Sequence, residues 1–281
     1  MSPYVVVLGV AQDGGHPQPG CRLPCCVGPR GAVAHLPACL AIVNPATSQR
    51  WIIDATPALP AQLARLDAHQ VAGAAAVDGV LLTHAHIGHY TGLVWLGREA
   101  MGARAVPVYV MPRMGGFLRA NGPWRQLVEL GNITLVEGPA VTLAPRLSVR
   151  AIEVPHRDEY SETVGWIVEG PHRRVLHLPD IDHWPATGPT LARLLSDVDA
   201  AWIDGTFWAD GELARDMSEM PHPRVRETLA LLGALPAATR ARVRFTHLNH
   251  TNPLLDPDST QAAAVRDAGA AVAWEGERFQ L

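Results

Sequence analysis

The sequence contains no lysine; all 23 of its basic side chains are arginines. That absence excludes a Schiff-base lysine and the lysine of a phosphate-binding P-loop together. Basic tails and Lys/Arg runs are missing too. With 23 basic against 27 acidic residues, a net charge of −4 and a pI near 6.3, nothing favours nucleic acid as a constitutive partner. No uncharged apolar run approaches the ~18–20 residues of a membrane helix. The opening Met1-Ser-Pro-Tyr-Val-Val-Val-Leu-Gly-Val10 lacks a basic n-region and reads as a first strand, not a signal peptide. No Gly-x-Ser-x-Gly occurs, against a serine hydrolase. Gly14-Gly15 follows the first strand without a Gly-x-Gly-x-x-Gly, against a dinucleotide site. These absences lead to the expectation of a cytoplasmic protein off the membrane; its expected partner is a small-molecule substrate, with a homodimer left open.

What is present is a chain of 281 residues, 48% hydrophobic and 18% charged, enough for one large α/β domain and too apolar for disorder. Apolar, β-branched runs predict strands at Tyr4–Gly9, Trp51–Asp54, Val77–Thr83, Val106–Met111, Ile133–Glu137, Leu147–Pro155, Val164–Glu169, Arg174–Leu178, Ala200–Asp204, Val243–His247 and Ala271–Glu275. Helical spacing occupies Ala58–His69, Tyr90–Ala100, Gly188–Ser196, Pro223–Leu235 and Ser259–Ala268. Strand often follows strand without a helix between, so two mixed sheets packed face to face with helices outside fit better than a doubly wound sheet. No repeat or linker divides the chain, which reads as one domain over 1–281.

Histidine is the unusual component, with 13 copies. The densest chemistry is Thr83-His84-Ala85-His86-Ile87-Gly88-His89, directly after the run Gly79–Thr83. Two His one residue apart at a strand end converge on one ion if the loop turns, and a third opening the next helix faces the same space. Neutral imidazole is the commonest ligand for Zn²⁺ and related ions, and an open coordination position lets a bound water act. The four Cys stand at 21, 25, 26 and 39. Without an export signal, the first three favour metal over disulfides. Cys39 reads as a small buried residue. His177 reads as a packed strand polar, and His16, His35, His69, His172 and His183 as solvated loop residues. Asp158, Glu159 and Tyr160 reach either a pocket or solvent. Trp166, Trp184 and Trp208 line either a pocket or the core.

The order of these motifs resembles the metallo-β-lactamase-fold hydrolase superfamily, whose signature after a strand is His-x-His-x-Asp-His. Asp54 in Trp51-Ile-Ile-Asp54 resembles the Asp that braces the metal loop. His156 in Val154-Pro-His156, Asp180 in Leu176-His-Leu-Pro-Asp180 and His247 in Phe245-Thr-His-Leu-Asn-His250 resemble the later ligands. The spacings, 67 residues from His89 to His156, 24 on to Asp180 and 67 on to His247, suit that fold. The resemblance implies an α/β protein of four layers, α/β/β/α, with a metal site at one edge of the paired sheets. It places His84, His86 and His156 on one ion, Asp180 between two, and His89 and His247 on the second.

Within that superfamily, Gly14-Gly15 before Pro17-Gln18, Cys21 to Cys26, Gly205-Thr-Phe-Trp208 with Pro221-His222-Pro223, and Thr246-His-Leu-Asn-His-Thr-Asn-Pro253 are similar to the pyrroloquinoline-quinone biosynthesis protein B group. A phosphodiesterase of phosphonate breakdown shares the Cys-rich N-terminal insertion. In both, it holds a structural zinc with a distant His. Carried over, those ligands are Cys21, Cys25, Cys26 and His222, although adjacent Cys25 and Cys26 ordinarily point apart, leaving one of them outside the set.

The main departure is Gly88, which stands where the motif has its Asp. Either His250 or Asp182 makes up the lost ligand, or the second position is empty or easily emptied, in which case Gly88→Asp should tighten it. The expected activity is hydrolysis of an ester-type bond (phosphodiester, lactone or β-lactam). A metal lowers the pKa of its water toward ~7; His84 and His86 hold that ion, and Asp180 orients the hydroxide or takes its proton. Zinc is the first choice for one or two active-site ions and one structural ion, with Fe or Mn open because a His/Asp site is unselective. The rival readings are an iron-dependent oxidative enzyme of the quinone-biosynthesis type and a non-catalytic small-molecule carrier.

Overall fold

The computed structural model describes residues 2–69, 73–188 and 190–281. In chain order the strands are β1 (Tyr4–Gly9), β2 (Cys39–Asn44), β3 (Gln49–Ile53), β4 (Gly79–Leu81), β5 (Val106–Val110), β6 (Ile133–Glu137), β7 (Ala140–Ala144), β8 (Leu147–Glu153), β9 (Val164–Glu169), β10 (Arg174–Leu178), β11 (Ala200–Asp204), β12 (Val243–Thr246), β13 (Ala271–Val272) and β14 (Arg278–Gln280). They form two mixed sheets, ordered β14-β1-β2-β3-β4-β5-β6 and β13-β12-β11-β10-β9-β8-β7. In the first, β3 to β6 run parallel; in the second, β10 to β13 do. Parallel strands sit between a second sheet and covering helices, so both faces are buried and the sequence reads as near-continuous apolar runs. All five residues of β11 are buried.

Three apolar cores separate four layers. Val5, Leu40, Ile42, Trp51, Ile53, Val164, Trp166 and Trp202 fill the space between the sheets. Leu59, Leu63, Leu66, Leu93, Met114 and Leu118 pack helices and turns onto the first sheet. Leu191, Leu194, Val225, Leu232 and Val265 do the same on the second. The α/β/β/α sandwich is therefore as the sequence patterning implied. No helix among the described residues is long and apolar enough to cross a membrane.

The expected elements differ from the observed ones both where the chain leaves a strand for the site and elsewhere, where strands β2, β7 and β14 are additional. The runs at Val77–Thr83 and Val243–His247 contract to β4 and β12, because Thr83 and His247 already belong to the loops that follow. The expected helix Tyr90–Ala100 is a helical turn, Ile87–Tyr90, followed by a 3-10 segment, Thr91–Leu96. There the backbone runs against Thr56, and a Cβ on Gly92 would overlap the Thr56 carbonyl. The helix expected over Gly188–Ser196 runs Leu191–Ser196, with position 189 outside the described residues. Helices Pro112–Ala120 and Trp124–Glu129 were not expected; the adjacent Gly115 and Gly116 weaken the helical propensity of the first.

Asp54 follows β3, Thr83 to His89 follow β4, and Asp180, Asp204 and His247 stand at or just beyond the ends of β10, β11 and β12. The carboxyl ends of parallel strands are where open α/β sheets place ligands.

Candidate metal centre

Distant along the chain but adjacent in space, the side chains at this edge form two facing groups. His84 Nε2 lies 2.9 Å and His156 Nε2 3.2 Å from His86 Nδ1, so three ring nitrogens converge on one point. Opposite them, His89 Nε2 and His247 Nε2 lie 3.2 and 3.4 Å from Asp13 Oδ1. Asp180 stands between the groups. Its Oδ1 is 3.6 Å from His156 Nε2, and its Oδ2 is 3.3 Å from His89 Nε2 and 3.5 Å from His247 Nε2.

Each inward nitrogen is set by what holds the other side of its ring. Asp54, wholly buried, accepts from the Thr83 amide at 2.8 Å, the Thr83 hydroxyl at 2.9 Å and His89 Nδ1 at 2.7 Å. The Thr83 hydroxyl in turn accepts from His84 Nδ1 at 2.9 Å. The second sheet repeats the device. Asp204 accepts from the Thr206 amide at 2.9 Å and hydroxyl at 2.7 Å and from His222 Nδ1 at 2.6 Å, while Thr206 Oγ1 accepts from His247 Nδ1 at 2.9 Å. His156 Nδ1 donates to Asp182 at 2.9 Å. Outer partners of this kind fix tautomer and ring orientation in metal-binding His. Asp54, His222 and His247 hold φ of 71°, 81° and 59°, a left-handed conformation that non-glycine residues adopt at a cost and that clusters at functional sites.

The residues fit a cation. Asp180 Oδ2 and His89 Nε2 are buried with no hydrogen-bond partner among the described residues, and both point at the shared centre. Burial and the surrounding imidazoles hold His84 and His156 well below the ordinary imidazole range, keeping them neutral as ligands must be. Burial also opposes charge on His89, but Asp180, Asp54 and Asp13 outweigh it and raise that ring well above the usual range. Buried carboxylates converging beside one imidazole are electrostatically unfinished, and a cation completes them.

The structure brings together His84, His86, His89, His156, Asp180 and His247, with Asp54 behind them. It corrects four other expectations. His222 is not beside the cysteines; Asp204 fixes it against the candidate metal centre, with His156 and Asp180. His250, expected as a spare active-site ligand, stands instead with Cys21, Cys25 and Cys26. Its Nδ1 is 3.6 Å from Cys25 Sγ and 3.4 Å from Cys26 Sγ. Both adjacent cysteines face it because they lie on the helical turn Pro24–Val27, where successive side chains are ~100° apart and not on opposite sides. Asp182 is occupied by His156 and does not replace the missing carboxylate. Asp13, which sequence reasoning missed, does stand there, and the only signal for it was one acidic residue after the first strand.

Lesser expectations sort similarly. His16 is buried, not solvated, bridging the Cys25 and Val33 carbonyls. Glu159 reaches His86 Nε2 at 3.3 Å, Asp158 pairs with Arg113, and Tyr160 packs on Phe117. Trp166 is core, and Trp208 packs against the core of the second sheet. Trp184 donates to Thr228 and borders a cleft of about 560 Å³ that runs from Asp182 and His222 to Asp210 and Met220.

His177 lies beneath the centre with neither ring nitrogen hydrogen-bonded among the described residues. Burial pushes its pKa down to about 4. An unfolded chain titrates it near 6.5, so between those values the unfolded state holds a proton that the folded state refuses, and stability falls on acidification. From pH 7 to 4 this residue alone removes roughly 3 kcal/mol. His177→Leu should flatten urea-unfolding free energies over that window; an unchanged pH slope would show that the loss originates elsewhere.

Comparison with known proteins agrees with this fold. The family profile described as Beta-lactamase superfamily domain matches residues 49–248. The chain is 29% identical to Coenzyme PQQ synthesis protein B of Methylococcus capsulatus, with 98% of this chain and 99% of that protein covered. It is 28% identical to the protein of that name from Klebsiella pneumoniae, covering 99% and 98%. Among solved structures, Zn²⁺-bound PqqB from Methylobacterium extorquens superposes with a TM-score of 0.82 at 23% identity, covering 99% of this chain and 100% of that one. A diphosphatase from the PhnP family superposes at 0.71 with 19% identity, covering 100% and 98%.

Proposed function

The chain belongs to the Beta-lactamase superfamily domain family, and from that premise we propose that it is a metal-dependent hydrolase of a phosphodiester-type bond in a small molecule. The observation that carries the reading is the Asp204–His222 pair, aimed at the same space as Asp180 and both His groups. Zinc is the favoured ion for His84, His86 and His156 and for His89 and His247, with Asp180 shared; Mn and Fe suit the same nitrogen and oxygen donors. Bound there, the ions would supply Lewis-acid polarisation of the ester oxygen and a water of pKa near ~7.

The chain's own residues do the rest. Asp180 orients the attacking water and accepts its proton. Burial opposes a charged His222, but Asp204 beside it outweighs burial and raises its pKa, favouring the protonated ring. His222 then gives a proton to the leaving oxygen as the P–O bond breaks, and Asp204 keeps the Nδ1–H tautomer that directs Nε2 inward. An alkoxide is the leaving group that most needs that proton. Arg157, 3.5 Å from His86 at the exposed mouth, offers a cation to an anionic substrate. The cleft bordered by His222 and Trp184 receives the leaving group. Cys21, Cys25, Cys26 and His250 form, on this reading, a structural zinc site.

The test is His222→Asn against phosphodiesters graded by leaving-group pKa. General acid catalysis is worth about 10²–10⁴-fold, so hydrolysis of alkyl esters should fall by that factor while aryl esters with acidic leaving groups lose little. An equal loss on both would remove His222 from the acid role. No turnover of any phosphodiester by the zinc- or manganese-loaded native chain would remove the function.

A second reading has its own support, the near full-length likeness to proteins named for PQQ synthesis. Iron in the same donors would then serve an oxidative step in making a quinone coenzyme. Iron retained through anaerobic purification, with oxygen consumed on a tyrosine- or quinone-type substrate, would favour it over hydrolysis.

A further inference from the structure

We propose that Asp13 is a ligand of the second active-site ion, its carboxylate carried by the loop after β1 into the place that the superfamily motif fills from position 88. The inference rests on the metal-site part of the functional reading and not on the bond cleaved. Three observations carry it.

First, Asp13 Oδ1 faces His89 Nε2 at 3.2 Å and His247 Nε2 at 3.4 Å, the two imidazoles that otherwise share only Asp180. Second, Asp13 and a side chain at 88 exclude each other. A Cβ built on Gly88 would overlap the Asp13 carboxylate, so the glycine is the vacancy that admits Asp13. The other candidates are engaged elsewhere, His250 with the cysteines and Asp182 with His156.

Third, backbone hydrogen bonds of its own hold the loop in place. The Gln12 amide donates to the Leu248 carbonyl at 2.8 Å, and the Leu248 amide to the Val10 carbonyl at 2.8 Å, stitching the Asp13 segment to the residue after His247. Gly15, at φ 69°, closes a turn back to the Gln12 carbonyl, and His16 is anchored on Cys25 and Val33. The same two segments thus supply Asp13 and His247 to one site and the cysteines and His250 to the other. A ligand presented by a fixed backbone binds without an ordering cost. With Asp13 and Asp180 the second position carries two carboxylates, so it is not the poorer site that Gly88 alone implies.

The experiment is Zn²⁺ titration by calorimetry, with metal content after gel filtration, on the native chain, Asp13→Ala, Asp13→Asn, Gly88→Asp and the double variant Asp13→Gly/Gly88→Asp. Cobalt(II) absorption counts thiolate-bound ions separately, since charge-transfer bands arise only at the Cys cluster. Asp13→Ala should weaken one nitrogen/oxygen-bound ion by about 10–100-fold or more. Gly88→Asp alone should weaken it too, by clash, and the double variant should return it toward the native affinity. If Asp13→Ala melts early, Asp13→Asn keeps the shape and carries the test. Native affinity for both ions in Asp13→Ala or Asp13→Asn, or tighter binding in Gly88→Asp alone, would overturn the assignment while leaving the metal site standing. A native chain binding zinc only at its cysteines would overturn the assignment and the hydrolase reading together.

Discussion

Replacing Asp54 with Ala should lower stability by about 3–5 kcal/mol, because it leaves buried donors facing a void where a paired charge stood. The carboxylate is wholly buried and takes the Thr83 amide, the Thr83 hydroxyl and His89 Nδ1. For a chain of this size that corresponds to a melting temperature lower by about 5–8 °C. Measured on chelated protein, the effect isolates the brace from any ion. On the loaded protein the same change frees the His84 and His89 rings to rotate, and zinc affinity should fall by at least about 10–100-fold. Asp54→Asn retains one acceptor oxygen and should lie between. A melting temperature close to native in Asp54→Ala would show that the loop after β4 needs no brace.

Removing the cysteine cluster is the other large perturbation. Cys25→Ser/Cys26→Ser should release one ion and, with free zinc about a thousandfold above the site's Kd, forfeit about 4 kcal/mol of linked stability. Burial and the facing thiols push Cys26 up to about 11, a state that a bound cation inverts by holding the thiolate. The cluster joins Cys25 and Cys26 to His250 across 225 and 224 positions of chain, so its loss should also expose the segment around Cys21 to Ala32 to proteolysis. Metal content by mass spectrometry, thermal melts and limited trypsinolysis read all three consequences, arginine being the available cleavage point. A disulfide between any two of these cysteines in freshly reduced protein, or an unchanged zinc count, would sink the structural-site reading.

The sequence by itself determined the layers and one half of the centre. Alternating and continuous apolar runs specify which strands are buried, because burial on two faces leaves no polar phase, and the sandwich follows from their order. His84, His86 and His89 were legible because one short loop supplies them, and His156, Asp180 and His247 only through the resemblance of their motifs to the superfamily's later ligands. Only the tertiary structure decided how the remaining donors are shared. His222 and His250 are both loop imidazoles, and nothing local says which faces cysteine and which faces Asp204. Exchanging them exchanges the partners of the cysteine cluster and of the Asp180 centre. Gly88 reads as a loss along the chain and becomes, in space, the room for Asp13. A ligand set is a property of convergence, and convergence between residues 13, 89 and 247 is fixed by hydrogen bonds between the β1 loop and the turn after β12. Sequence spacing carries no record of those contacts.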